Sequence, residues 1–284
     1  MLTTRKEGAI LVLVLMATII KSAWTVIRTT MKNRLSKSQR KAIEEGKLVE
    51  TINALDSDTF AARLCDANTI SKAENLLKEK SGTDLEIDLL HAEALKTDRK
   101  DVLETCFRLV EESSSNDYKA SEIKWSSASK RKEMVLPDMR YLVVRERTRP
   151  ENSESSEART AVGPSIYGFV SFMITYEDGY EVIYVYEIHL DPRVRGQGVG
   201  TVLMSMVEAV GRKAHVEKCM LTVFTANQKA SRWYEHCGYR VDDFSPGPRI
   251  LRNGTVKEPT YLILSKPLKI SSDSQSPGVP HKFD

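Results

Sequence analysis

Arg195-Gly196-Gln197-Gly198-Val199-Gly200 constrains this chain more than any other stretch. It separates an apolar strand, Val182 to Leu190, from an apolar-periodic helix that begins at about Thr201. A glycine-rich turn between strand and helix points several backbone N–H groups at one spot, at the positive end of the helix dipole. That arrangement suits a pyrophosphate. No Gly-Lys-Ser/Thr follows, so the turn is not a P-loop, and the glycines are spaced G-x-G-x-G rather than G-x-G-x-x-G. The bland alternative is an ordinary glycine turn; the strand before it and the helix after it favour the cradle.

A chain of 284 residues has room for one large domain or two small ones, and 41% hydrophobic with 29% charged residues is ordinary for a globular protein. Cys65, Cys106, Cys219 and Cys237 lie far apart, with no C-x-x-C and no histidine at metal-ligand spacing, so reduced thiols are expected and no metal site. The net charge of +3 hides an asymmetry. Of 42 basic and 39 acidic side chains, residues 1–47 carry ten and three, which leaves the body four charges negative. Such a body suits a basic substrate better than nucleic acid, and no direct nucleic-acid binding is expected.

Ala9 to Ile20 is a 12-residue apolar run behind Arg5 and Lys6. It reads as a signal-peptide core or a short anchor, and it spans a bilayer only if Lys21 snorkels and the segment extends to Ile27. A membrane is therefore expected to meet the chain only through residues 9–27. The other reading takes Met31 as the working start, with Lys32, Arg34, Lys37, Arg40 and Lys41 leading into a helix, as in a nuclear or cytosolic protein.

Periodicity predicts helices over Ser38–Leu55 and Ser57–Lys80, the second ended by Ser81-Gly82. Leu85–Ala94 reads as a strand or short turn. Asp98–Glu112 is helical in spacing, Ser113–Asp117 reads as a loop, and a short helix covers Ser121–Met134. From residue 140 the period becomes two. Arg140–Arg147 and Tyr167–Tyr176 are strands, with a flexible Pro/Ser/Glu-rich insertion over 148–164 between them. Asp178-Gly179 is a hairpin turn into Glu181–Leu190. A helix then runs to about His215, followed by a strand over Cys219–Thr225, a helix over Gln228–Cys237 stopped by Gly238, and a strand over Tyr261–Ser265. Residues 271–284 read as a tail. The order is α+β with one mixed sheet. The divisions it suggests are 1–30 (apolar leader), 31–84 (helical extension), 85–268 (main domain) and 269–284 (tail).

Arg195-x-x-Gly198-x-Gly200 after a strand resembles the acetyl-coenzyme A signature of the GNAT acyltransferases, and the element order resembles theirs. Tyr184-Val185-Tyr186-Glu187-Ile188-His189-Leu190, Leu221-Thr222-Val223-Phe224 with Asn227, and Asp242-Asp243 with Ser245-Pro246 are similar to one branch, N-alpha-acetyltransferase D. The resemblance is dense over 181–265 and thinner over 85–147. It implies a GNAT fold, a central mixed and mostly antiparallel sheet flanked by helices. It implies transfer of acetyl from acetyl-coenzyme A to the N-terminal serine of histones 4 and 2A (Ser-Gly-Arg-Gly). With that come histone tails as partners, a monomer, and a place in nucleus and cytoplasm, the alternative being a membrane anchor at the N-terminus.

Carried over residue by residue, the resemblance puts backbone groups of His189, Leu190 and Asp191 on the pantetheine arm and Gln197, Gly198, Val199, Gly200, Thr201 and Val202 on the pyrophosphate. Arg195 belongs to the same signature, and Asn227 lies near the cofactor. Glu187 is the candidate general base, a carboxylate beside two tyrosines whose pKa partial desolvation could raise; the competing reading is a glutamate paired with substrate or a buried arginine. Strict alternation puts Glu187 opposite Tyr184 and Tyr186, which a bulge would relieve. Core packing competes for both tyrosines, but the resemblance sets Tyr186 against the substrate at the catalytic centre. It makes Tyr118, Trp125, Tyr184, Thr222 and Tyr261 walls of the peptide site, and Thr175-Tyr176-Glu177 an acidic loop for the substrate's arginine. The chain departs from the branch at Thr175 (aspartate there), Ile123 (tryptophan) and Tyr234 (phenylalanine). Many GNAT enzymes keep a tyrosine near the leaving sulfur where Tyr234 falls.

Two other readings stand beside this one. A GNAT enzyme for lysine side chains or small amines would have an open channel through the site. A non-catalytic GNAT-like binding module would not need the intact glycine turn and Glu187.

Overall fold

The computed structural model describes residues 48–147 and 165–269. The apolar run at 9–20, the Met31 lead, the insertion at 148–164 and the tail from 271 lie outside these residues.

Three helices come first: α1 (Leu48–Asn53), α2 (Ser57–Leu64) and α3 (Ala67–Ser81). The expected single helix over 57–80 is broken because Asp66 restarts it: its carboxylate accepts from the Thr69 N–H at 2.8 Å, as Asp56 caps α2 through Thr59. Gly82 ends α3 in the left-handed region. There follow β1 (Leu85–His91), α4 (Ala92–Thr97), α5 (Lys100–Ala120), α6 (Ser127–Glu133) and β2 (Arg140–Glu146). Helix α5 runs through Ser113–Asp117, where a loop was expected. The Ser113 hydroxyl donates to the Leu109 carbonyl one turn back, so a polar run stays helical on the face its neighbours leave half-open. The expected helix over 121–134 shrinks to the seven residues that Ser126 caps.

Strands β3 (Ile166–Glu177) and β4 (Tyr180–Leu190) form a hairpin, with Asp178 and Gly179 both at positive φ. The glycine turn, α7 (Val199–Lys213), β5 (Lys218–Phe224) and α8 (Gln228–His236) follow. The short β6 (Arg240–Val241), a separate ribbon of β7 (Arg249–Ile250) and β8 (Val256–Lys257), and β9 (Tyr261–Pro267) complete the chain. The sheet order is β1-β2-β3-β4-β5-β9-β6, antiparallel except for β4 beside β5.

The sheet has a core on each face. One contains Ile183, Val185, Leu203, Val207 and Leu221 together with Val49, Phe60, Leu64 and Leu77 of the first three helices. The other gathers Phe107, Val110, Tyr141, Val143 and Phe169 under α5. Helix α3 lies antiparallel to α7: Lys213, at the end of α7, bonds Asp66 at the start of α3, and Lys80, at the end of α3, lies against Gly198 at the start of α7.

Candidate active site

Strand β4 pairs with β5 only over Val182–Val185, yet continues along β3 to Leu190. Past Val185 the two parallel strands part, and a cavity of about 890 Å³ opens between them. Its walls run from the start of α7 (Gly198, Val199, Gly200, Thr201) past Trp233 and Tyr234 to Tyr118, Tyr184, Glu187 and Glu177.

The bulge that Glu187 requires is present. Ser171 faces Glu187 while Phe172 faces Val185, so Tyr186 is an extra residue in β4. The alternation shifts there. Ile183 and Val185 before the bulge, and Ile188 and Leu190 after it, join the same core, whereas Tyr186 packs towards α5 on the other face. Strict period two would group Tyr184 and Tyr186 with Ile188 and Leu190, and the bulge overturns that grouping.

Around Glu187 the structure gathers residues that periodicity did not mark. The Lys130 ammonium, from α6, donates to Glu187 Oε1 at 2.8 Å, to Glu133 Oε1 at 2.7 Å and to the Tyr118 hydroxyl at 2.7 Å. Tyr118 donates in turn to Glu187 Oε1 at 3.0 Å. On the far oxygen, His189 Nε2 lies 2.5 Å from Oε2, and His189 Nδ1 lies 2.6 Å from Ser113 Oγ. Lys130 and Glu187 are only 4% and 7% exposed. Burial alone would raise the Glu187 carboxyl, but Lys130 first and His189 after it outweigh that and hold it low. This reverses the raised value expected from two neighbouring tyrosines. It also gives the His189 side chain a place beside Glu187, where only its backbone had been expected.

Glu177 has the opposite surroundings. It lines the cavity with no hydrogen bond or ion pair to its carboxylate among the described residues, and burial, helped by Asp178 and opposed by Lys218, pushes it up to about 7. Tyr184 and Thr222 join hydroxyls at 2.5 Å on the same wall. Tyr118 is clamped between Phe224 and Trp125, with ring centroids at 4.8 and 5.5 Å.

Several expected wall residues sit elsewhere. Trp125 backs Tyr118 from behind, with its indole N–H on Ser127. Tyr176 points to the opposite sheet face and donates to Glu50 of α1 at 2.8 Å, because it alternates with Glu177. Thr175 and Tyr261 are half-buried outside the cavity lining.

The end of the cavity at the start of α7 is built from backbone. Val202 is the first α7 residue whose N–H is taken within the helix, by the Gly198 carbonyl, so those of Val199, Gly200 and Thr201 have no intrahelical partner. Gly198 sits at φ +78°, and a Cβ there would lie 2.8 Å from the Lys80 side chain. A Cβ on Gly200 would press on the Trp233 ring at 3.1 Å. Both glycines thus keep the backbone bare at the helix start, as a diphosphate requires.

Other assignments there change. Val202 is core, and its N–H is spent inside the helix. Asp191 gives its N–H to the Tyr167 carbonyl and its carboxylate to Arg193, while the Gln197 side chain donates to the Arg193 carbonyl; both lie outside the lining. Arg195 braces the end of β4 through Nε to the Leu190 carbonyl at 2.8 Å, which takes up an acceptor expected for the pantetheine arm. His189 and Leu190 do line the cavity, as does Asn227, whose side chain caps α8 on the Ala230 N–H. Ser113, Glu133 and Trp233 line the cavity, Lys130 bonds Glu187 and Lys80 lies against Gly198; all five escaped the sequence reading, because each comes from another element.

A mixed sheet with one parallel pair that splays over a glycine turn is the GNAT fold. Residues 120–239 match the model of the acetyltransferase (GNAT) family. N-alpha-acetyltransferase 40 of Saccharomyces cerevisiae is 34% identical over 98 residues, 28% of this chain and 34% of that protein, so the chain spans about a third of this relative's length. The PaiA N-acetyltransferase of Thermoplasma acidophilum, solved in complex with coenzyme A, is 17% identical over 64% of this chain and 98% of that one, with a TM-score of 0.41. The ribosomal-protein-S18-alanine N-acetyltransferase of Escherichia coli is 13% identical over 68% and 99%, with a TM-score of 0.38. Among the described residues no helix is long and apolar enough to cross a membrane, and no group of residues is placed to hold a metal ion.

Proposed function

We propose that this protein is an N-alpha-acetyltransferase that acetylates the N-terminal serine of histone tails beginning Ser-Gly-Arg-Gly, as on histones 4 and 2A, in nucleus and cytoplasm. One observation carries the reading: a single cavity joins a backbone diphosphate cradle, a splayed strand and two carboxylates with opposite surroundings. The match to N-alpha-acetyltransferase 40 supports the choice of an α-amine over other amines.

Acetyl-coenzyme A would supply the acetyl thioester. The N–H groups of Val199, Gly200 and Thr201 would hold its diphosphate, and the edge of β4 from Tyr186 to His189, unpaired by β5, its pantetheine arm. Glu187 and Tyr118 would orient the amine beside the splay. Tyr234, which burial keeps protonated, would offer its hydroxyl to the leaving sulfur. Glu177, farther along the wall, would receive the arginine at the substrate's third position, whose planar fork matches a carboxylate in a bidentate way.

The reading is tested with purified protein, acetyl-coenzyme A and a Ser-Gly-Arg-Gly peptide, beside an acetyl-blocked peptide and one whose only amine is a lysine side chain. Transfer to the free α-amine alone is expected. Transfer to the lysine control would replace the proposal with a broader amine acetyltransferase.

Glu177 predicts a particular pH dependence. At pH 5.5 a carboxyl with a pKa near 7 is mostly neutral and cannot pair with a guanidinium; above pH 8 it is ionised. The kcat/KM preference for Ser-Gly-Arg-Gly over Ser-Gly-Ala-Gly should therefore grow about five- to tenfold between these limits, one charge-assisted hydrogen bond's worth. The peptide's own α-amine titrates equally in both substrates and cancels in the ratio. Glu177→Gln should flatten the ratio, and a flat ratio in the wild type would remove arginine reading.

A further inference from the structure

The Glu187 carboxylate is the most heavily bonded side chain in the cavity wall, and two of its three partners, Lys130 and Tyr118, come from outside the turn and the splay. Lys130 reaches it from α6, Tyr118 from α5 and His189 from its own strand, with Glu133 bonded to Lys130 and Ser113 to His189; Tyr141 of β2 and Tyr234 of α8 are further titratable side chains close enough to feel its charge. We infer that Lys130 is a positioning residue for acyl transfer: it holds Glu187 as a fixed anion, so that Glu187 anchors and orients the substrate's amine and does not serve as the group that titrates in the reaction. The inference rests on the acetyltransferase reading above and adds a role for a residue on α6, outside the strand-turn-helix unit.

The geometry favours this over a passive ion pair. The ammonium makes three bonds of 2.7–2.8 Å and lies 4.5 Å from the Tyr118 ring centroid, so its position is set by three side chains. It braces the Tyr118 hydroxyl and Glu187 Oε1 together, and these are the two atoms that would meet the amine. His189 takes the other oxygen. A carboxylate so occupied keeps one orientation and one charge, and a neutral amine that donates an N–H to it has its lone pair directed across the splay. As the N–C bond forms and the C–S bond breaks, the nitrogen's proton would pass to solvent water and the thiolate would leave against the Tyr234 hydroxyl, with Glu187 ionised throughout. The amine can reach the site uncharged by losing its proton to solvent, since a free α-amino group titrates at about 7.7–8.0.

The test compares Lys130→Met and Lys130→Arg with the wild type in two measurements. In the first, carbon-13 NMR follows the Glu187 carboxyl signal with pH, with Glu187→Gln to assign it. The wild-type signal should stay at its ionised position from pH 5 to 9, whereas in Lys130→Met the burial that Lys130 had countered should move its titration into that range. In the second, kcat on Ser-Gly-Arg-Gly is measured from pH 6 to 9. Lys130→Met should lose about 10²-fold at pH 6 and recover at least tenfold by pH 9, and Lys130→Arg should follow the wild-type profile. A folded Lys130→Met variant whose carboxyl signal does not move, or whose kcat falls by one factor at every pH, overturns the inference. Wild-type protein inactive on every amine would overturn the acetyltransferase reading instead, while the NMR titration would still report on Lys130.

Discussion

Replacing Gly198 with tryptophan should weaken coenzyme A binding by more than 100-fold while the protein stays folded. The residue lies at φ +78°, where a side chain costs about 1–2 kcal/mol in backbone strain, so a modest fall in Tm is expected. The larger effect is on the ligand. Any side chain must enter the space between the α7 N-terminus and Lys80, which a Cβ alone already narrows to 2.8 Å, and this is where a diphosphate would approach the free N–H groups. Gly196→Ala is the control: it has φ +77° with nothing within 4 Å, so it carries the strain without the obstruction. Calorimetry with coenzyme A distinguishes the two. Unchanged affinity in Gly198→Trp would remove the cradle from the site.

Glu187→Ala should be the most destabilising change in the cavity, at about 3–5 kcal/mol, because it leaves a buried ammonium short of a counter-charge. Glu133 still faces Lys130 and should keep the loss at the lower end of that range. The pH dependence follows from the direction of the Glu187 shift. Its carboxyl is held below the ordinary value in the folded state, so its contribution is present above the unfolded glutamate pKa of about 4.3 and is lost as pH falls through the folded value. The gap between wild type and Glu187→Ala in urea denaturation should therefore be full at pH 7 and should shrink below pH 4. A gap that widens on acidification would mean that the carboxyl is neutral in the folded protein. Glu187→Gln, which keeps the shape and removes the charge, should lower kcat by about 10²-fold or more with coenzyme A binding retained.

Local signals were read well wherever the chemistry is local. Asp178-Gly179 became a hairpin because its two positions require positive φ, which aspartate tolerates and glycine prefers. The turn at 195–200 opens α7 as its glycines imply, and Gly238 follows α8 at φ +91°. Composition misled where a polar run has a tertiary role. Ser113–Asp117 has loop chemistry, yet it continues α5 and places Ser113 on His189. Alternation misled at Tyr186, because one extra residue in β4 exchanges faces for everything after it.

The amino-acid sequence by itself determined the glycine turn, the strands and helices on either side of it, and the residue types that a thioester and an amine would need. Those properties follow from backbone conformation and from side-chain period over a few neighbouring residues. Only the tertiary structure decided the electrostatics. Glu187 and Glu177 are the same residue on adjoining strands, and their neighbours in the chain, His189 for one and Asp178 for the other, do not by themselves fix the charge of either. Folding brings Lys130 across 57 residues onto one of them, while the other is half-buried with no hydrogen bond or ion pair among the described residues, so one carboxyl is held low and the other rises to about 7. A pKa depends on which charges and how much water lie within a few ångströms, and that is a property of packing.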